Sequence, residues 1–207
     1  MPIKSQARME ARRKEIIVAC AKLYETMSFR EITIKEIAHF TSFTRPSIYN
    51  YFQTKEEILL AFLGQEYQSW ADELEKMQPI GSGSARDEFA EGLARSLSTR
   101  QTMLKLLSLN LNDMETNSRM ERLVEFKLAY GRSLKAIEDG LTRFFPEMGQ
   151  EARTAFIYAF CPFLYGVHPY TAVSDMQREA MERAEIPYQF YSISKLVQSA
   201  VKQILPE

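Results

Sequence analysis

Apolar residues recur every three to four positions along most of this chain, the spacing of one helix face. Between residues 10 and 27 the repeat runs through Ile16, Ile17, Cys20, Ala21, Leu23 and Tyr24. It resumes in shorter pieces at Ile34, Ile37 and Ala38, then at Phe43, Ile48, Tyr49 and Phe52, which are expected to complete a small three-helix core. A longer segment, 55–77, opens KEEILLAF and continues LGQEYQSWADELEKM; at helical rise it spans about 33 Å. PIGSGS at 79–84 is the clearest break and reads as a loop. Beyond it the pattern predicts helices over about 85–98, 101–111, 114–145, 150–167 and 188–205, with Pro146 after the third and Pro187 opening the last. HPYTAVSD from 168 reads as a loop, and MQREAMERAE as a short polar helix. Residues 1–9 read as a basic, mobile arm carrying Lys4 and Arg8. No segment alternates with the period of a strand, so the fold class expected is all-α.

Residues 33–57 hold three helix starts in close succession. Thr33 precedes Glu36 by three positions and Thr54 precedes Glu57 by three, each pair the signature of a capping box. Between them Thr44 suits an N-cap, and Pro46 falls in a first turn, where its missing N–H costs nothing. Two short helices joined by a turn, with a third behind, is the helix-turn-helix pattern. Capped helices occur in many all-helical proteins, so this spacing alone leaves DNA binding and an incidental arrangement both open. The exposed start of the second helix of the motif offers Thr44, Arg45, Ser47 and Asn50 to base edges. Arg45 suits a bidentate contact to guanine, or else a phosphate contact. Thr33 presents a hydroxyl at a helix N-terminus, and Lys55 a cation at the first position of the next helix; both suit phosphate. Ile48 and Phe52 are expected in the core.

Charge sharpens this picture. The 207 residues carry a formal net charge of -1. Residues 1–55 hold ten Lys/Arg against five Asp/Glu, and the remainder sixteen against twenty-two. A basic N-terminal part on an acidic body suits a phosphate-facing domain. At 45% apolar and 26% charged, the composition is that of a soluble globular protein of one larger or two small domains. The two cysteines, Cys20 and Cys161, lie in apolar helical patterns without metal-ligand spacing and read as reduced core thiols of a cytoplasmic protein. MPIKSQARMEARRKE is polar throughout, so no secretory leader is expected, and the apolar run at 155–167 is too short to span a bilayer.

The stretch from Arg12 to Leu60 resembles the DNA-binding domain of the TetR (tetracycline-repressor-like) family of bacterial transcription regulators. The pieces that carry it are RRKEIIVACAKLYE, Phe29, TIKEIA, T-x-x-S-I-Y-N-Y-F and QTKEEILLAF. The resemblance covers about a quarter of the chain; the rest matches in style, as an aromatic-rich helical region. It implies a helix-turn-helix domain at 1–55 and a helical ligand-binding and dimerisation domain at 56–207. Thr33, Tyr49 and Lys55 match family positions that touch the phosphate backbone, and Tyr51 a position often filled by histidine. The family's last two long helices form a four-helix dimer interface, here 150–167 and 188–205, where Phe156, Phe160, Phe163, Leu196, Val197, Ala200, Val201 and Ile204 are placed to furnish it. The remaining helices usually enclose an effector pocket. Candidate lining residues are Tyr67, Trp70, Met103, Leu107, Phe126, Tyr130, Phe160, Cys161, Tyr165 and His168, with Phe89 and Tyr170 as further aromatics. They suggest a small apolar or aromatic effector. Such sequences usually carry glycine where this chain has Ser28 and Ser42; a serine at positive φ would cost about 1 kcal/mol there.

Enzyme readings find little support. Glu36 and His39 form one E-x-x-H pair, but a di-iron site needs two pairs plus two further glutamates, and His39 and His168 are the only histidines. GSGS at 81–84 has neither the spacing nor the lysine of a phosphate loop. The expectation is a non-enzymatic regulator, a repressor in type, needing no metal or cofactor. It would bind a pseudo-palindromic duplex as a homodimer, without a membrane partner, and sit on the nucleoid when DNA-bound. The other reading is a non-enzymatic helical ligand-binding or protein-interaction module.

Overall fold

The computed structural model describes residues 3–81 and 83–205, with side chains from Gln6 onward. Eleven helices and no strand occur among them: α1 Ile3–Thr26, α2 Ile34–His39, α3 Arg45–Ile48, α4 Lys55–Glu75, α5 Ala85–Ser98, α6 Gln101–Leu109, α7 Leu111–Thr116, α8 Met120–Phe144, α9 Gln150–Thr171, α10 Asp175–Arg183 and α11 Ile193–Ile204. The chain divides into two compact units. One comprises Met1–Tyr67 and Asn110–Tyr130, the other Gln68–Leu109 and Gly131–Glu207. The first unit therefore takes in α7 and the start of α8 as well as the N-terminal helices.

In the first unit, Ile16, Cys20, Tyr24, Ile32, Ile37, Ile48, Phe52 and Ile58 are fully buried, and they join α1 through α4 into one core. The Tyr24 hydroxyl donates to the Asn110 side chain at 2.7 Å. Tyr67, Phe126 and Tyr130 form an aromatic cluster with centroids 5.3–6.5 Å apart.

In the second unit, α5 packs on α11, and α9 on α6 and α11. The ring of Phe89 meets Phe144, Phe145 and Phe156 at 5.3, 5.6 and 5.9 Å. Trp70, 1% exposed, donates its indole N–H to Ser96 Oγ at 2.8 Å, and Ser96 donates onward to the Leu93 carbonyl. Arg86 reaches the carbonyls of Lys202 and Leu205, closing the C-terminal end of α11. Both cysteines are free and buried, and burial pushes each thiol up to about 12.

Four boundaries differ from the periodicity reading. The arm expected at 1–9 is helical from Ile3, because KSQARMEARRKE contains good helix formers and no breaker. The helix expected over 114–145 is two, α7 and α8. Asn117 ends α7 by returning its backbone and side-chain N–H groups to the Asp113 carbonyl at 3.1 and 2.9 Å. α9 runs on to Thr171 through Pro162 and Pro169, both exposed, so HPYT is helix and not loop. The last helix starts at Ile193 and not near Pro187, because Ser192 supplies the cap that accepts from the Lys195 N–H at 3.2 Å.

Candidate nucleic-acid interface

Helix α2 starts where its cap dictates: Thr33 is extended and its hydroxyl accepts from the Glu36 N–H at 3.2 Å. The reciprocal half of the expected box is missing, since the Glu36 carboxylate lies 4.0 Å from His39 instead. At α4, Thr54 accepts from the Glu57 N–H at 3.1 Å, while the Glu57 carboxylate takes the Gln53 N–H at 2.8 Å. A complete capping box forms elsewhere, at Ser174 and Gln177. Thr44 occupies the N-cap of α3 without capping through its side chain; its hydroxyl shares a hydrogen bond with Ser47 Oγ at 3.0 Å.

The two serines that replace glycine cause no strain. Among the described residues Glu185 is the one non-glycine with positive φ. Ser28 donates its N–H and hydroxyl to Glu31 at 2.8 and 2.7 Å, and these bonds hold that carboxyl below its ordinary range. The Ser42 N–H, in the turn between α2 and α3, donates to Glu15 of α1 at 2.6 Å. Side-chain hydrogen bonds thus hold both turns without left-handed backbone.

Helix α3 is short, and turns at Tyr49 to Tyr51 carry the chain to Phe52. Ile48 and Phe52 are completely buried, which fixes the opposite side outward. Thr44, Arg45, Tyr49 and Asn50 are exposed, and Ser47 and Tyr51 half-buried. Arg45 donates to the Tyr49 hydroxyl at 3.2 Å and lies 5.8 Å from its ring centroid. Such a stacked guanidinium keeps donors in hand for a base edge or a phosphate. An open groove of about 470 Å³ runs beside the start of α3, lined by Arg8, Arg12, Glu15, Ser42, Thr44 and Ser47 among others. Arg12, over Phe43 at 5.3 Å, was not singled out from the sequence; its spacing of four from Arg8 on one helix face was the available signal. The side chain of Lys4 lies outside the described residues.

Thr33 and Lys55 sit at the starts of α2 and α4, outside that groove. The Lys55 ammonium donates to the Phe29 carbonyl and lies 4.5 Å from the Phe29 ring centroid. An ammonium has three donors, so this contact leaves capacity for a phosphate.

The candidate effector residues do not share one unit. Tyr67, Phe126 and Tyr130 belong to the first; Trp70, Met103, Leu107, Phe160, Cys161, Tyr165 and His168 belong to the second. Trp70, Met103, Leu107, Phe160 and Cys161 are buried in packed core, while Tyr165 is exposed. His168 lines a hollow of about 240 Å³ with Ser98, Gln101, Thr171 and Ser192, more polar than an apolar effector requires. Burial, and then the Lys105 charge, hold its imidazole below the ordinary histidine range. No group of three or more metal-ligating side chains occurs among the described residues.

A short recognition helix with its apolar side buried and its polar side beside basic residues is the working part of a helix-turn-helix transcription regulator. The chain belongs to the TetR family: residues 16–62 match the bacterial regulatory proteins of the tetR family, and residues 64–206 match the tetracyclin repressor-like C-terminal domain. Solved structures share the fold. The fatty acid degradation regulator FadR of Bacillus halodurans is 15% identical, with a TM-score of 0.60 over 94% of each chain. A TetR-family regulator of Bordetella parapertussis is 16% identical, with a TM-score of 0.58 over 93% of each. FadR of Bacillus subtilis, solved in complex with stearoyl-CoA, is 16% identical with a TM-score of 0.57 over 92% of this chain and 96% of its own. No curated protein matches the chain. No described helix is long and apolar enough to cross a membrane.

Proposed function

We propose that this TetR-family regulator is a cytoplasmic repressor. It binds a pseudo-palindromic operator as a homodimer and releases it when a small, mainly apolar or aromatic effector binds. The observation that carries the DNA-binding reading is the outward set Thr44, Arg45, Ser47 and Asn50 on a helix whose other side, Ile48 and Phe52, is fully buried. In this reading Arg45 reads a base edge, with Thr44, Ser47 and Asn50 beside it. Thr33, Tyr49, Tyr51 and Lys55 hold the phosphates, and Arg8 and Arg12 extend the basic surface along α1.

Dimerisation through α9 and α11 is supported by what these helices leave uncovered. Phe156, Phe160, Val197 and Val201 are spent in the subunit's own core. Phe163, Leu196, Ala200 and Ile204 are only half-buried, and Tyr158 is 76% exposed. Two recognition helices about 34 Å apart then read half-sites one turn apart. An effector acts only through unequal affinity for the DNA-competent and incompetent states. The stearoyl-CoA complex of the Bacillus subtilis relative makes long-chain acyl thioesters a sensible first class to screen.

Selection of random duplex DNA on the purified protein, at low and moderate salt, tests this reading. The expected result is an enriched inverted repeat whose binding weakens steeply with salt. Absence of duplex binding at low salt would overturn it in favour of a protein-interaction module.

A further inference from the structure

The recognition helix is anchored by residues far away in the sequence. Glu57, 1% exposed, accepts four N–H donors: the backbone of Gln53 at 2.8 Å, the backbone of Arg119 at 3.1 Å, and Arg119 Nε and Nη2 at 2.6 and 2.9 Å. One carboxylate thus ties the peptide leaving the recognition helix to the first turn of α4 and to the break between α7 and α8. The Thr54 hydroxyl caps α4 and donates to the Asn117 carbonyl at 3.1 Å. Arg122 Nη2 donates to the carbonyl of Tyr51, in the turn after α3, at 3.2 Å. Arg13 and Arg122 each place a guanidinium 5.6 Å from the centroid of the buried Phe52 ring, and Glu125 bridges them at 2.6 and 2.7 Å.

These links converge on residues 51 to 57, the exit of the recognition helix. Their geometry is directional: a bidentate guanidinium–carboxylate pair and carbonyl acceptors hold one arrangement, where apolar packing alone tolerates small slides. A capping glutamate needs only its own turn; here three of the four donors it accepts belong to a residue 62 positions on.

We infer that residues 117–125 belong to the DNA-binding apparatus, with Arg119 and Arg122 as positioning residues. They set the placement of α3, and so operator affinity, by acting through Glu57, Gln53 and Tyr51. The inference rests on the reading of α3 as the DNA-binding helix. Arg119 and Arg122 flank the start of α8 at Met120, so any displacement of its first turn acts directly on this anchor.

The test uses the full chain carrying Arg119→Met or Arg122→Met, and Arg122→Lys as the conservative variant. Three quantities are measured: thermal stability, affinity for the inverted repeat that the wild type selects, and affinity for an unrelated duplex at low salt. The ratio of the two affinities is expected to fall by about tenfold or more in both methionine variants and to recover in part with Arg122→Lys. Exchange of the Gln53 amide, read by NMR, is expected to quicken about tenfold in Arg119→Met. A purely structural role would lower the melting temperature and leave the affinity ratio within about twofold, which overturns the inference. If Arg119→Met does not fold, Arg122→Met decides, since it leaves the Glu57 pair intact. A wild type that selects no duplex sinks the DNA-binding reading and the inference with it. A selecting wild type with unchanged ratios in the variants sinks the inference alone.

Discussion

Two regions of this protein, the surroundings of the recognition helix in one unit and of Phe89 in the other, are held by different chemistry. Around the recognition helix, the fixings are directional and polar: Glu57 with Arg119, Glu125 with Arg13 and Arg122, Glu15 with the Ser42 N–H. Around Phe89 in the second unit the contacts are aromatic, with three rings against it; the directional bonds of that unit, from Arg86, Arg100 and Arg143, lie elsewhere in it. Directional bonds fix position, because they fail outside a narrow range of distance and angle. Apolar packing stabilises strongly but tolerates rearrangement at constant volume. Under the proposed function, a surface that presents side chains to two grooves in register is served by the first kind of fixing, and a region that accommodates an effector by the second.

The largest way to break this comparison lies in the aromatic unit. Phe89→Ala removes a ring that is 1% exposed with three ring partners, and a loss of about 3–5 kcal/mol is expected by urea unfolding. A loss under 1 kcal/mol would show that the site collapses freely and that the second unit is looser than its packing indicates.

Next comes the polar anchor, read against pH. Burial pushes the Glu57 carboxyl up, but the Arg119 side chain and the backbone N–H groups of Gln53 and Arg119 together bring it below its ordinary value. A group whose folded pKa is depressed contributes stability above its unfolded pKa, and that contribution is lost as pH falls through the folded value. The wild type should therefore exceed Glu57→Gln by about 2–3 kcal/mol at neutral pH; Arg119, 39% exposed, keeps this below the full cost of breaking a buried pair. The gap should close as pH falls below 4.5, the ordinary value for this carboxyl. A gap that does not change between pH 7 and pH 3 would assign the effect to shape and not to charge.

A smaller effect separates binding from stability. Arg45→Ala is expected to weaken operator binding by about 1–3 kcal/mol in a fluorescence titration, while the melting temperature moves little because the side chain is exposed. Unchanged affinity and base preference would remove Arg45 from the reading surface. Smallest is Ser192→Ala, which deletes the cap of α11 and should cost about 1 kcal/mol of thermal stability. Operator affinity at temperatures well below unfolding should stay unaltered. A drop in affinity there would mean that the C-terminal helix couples to DNA binding more tightly than its distance in sequence suggests.

Much of this architecture was legible in the sequence because it is local. Thr33 and Thr54 mark helix starts through bonds to N–H groups three residues on, Pro46 does so through its fixed φ and missing N–H, and 85–98 falls where its apolar spacing places it. Ile48 and Phe52 were readable as core from their spacing, which left Thr44, Arg45, Ser47 and Asn50 outward. The effector residues were less legible. An aromatic at helical spacing looks the same whether it lines a cavity or fills a core, and Trp70 and Phe160 proved to be packed.

By itself, then, the sequence determined the all-helical class, the order of the main helices and the polar face of the recognition helix. Each follows from side-chain period and capping chemistry within a turn or two of chain. Only the tertiary structure decided that Arg119 is joined to Glu57 and that the Ser42 turn is held by Glu15. Those outcomes depend on which charged and hydrogen-bonding groups the fold brings together, such as the pairing of Glu15 with Ser42 or Glu57 with Arg119. No periodicity encodes that proximity, because a carboxylate finds its partners in space and not at a fixed distance along the chain.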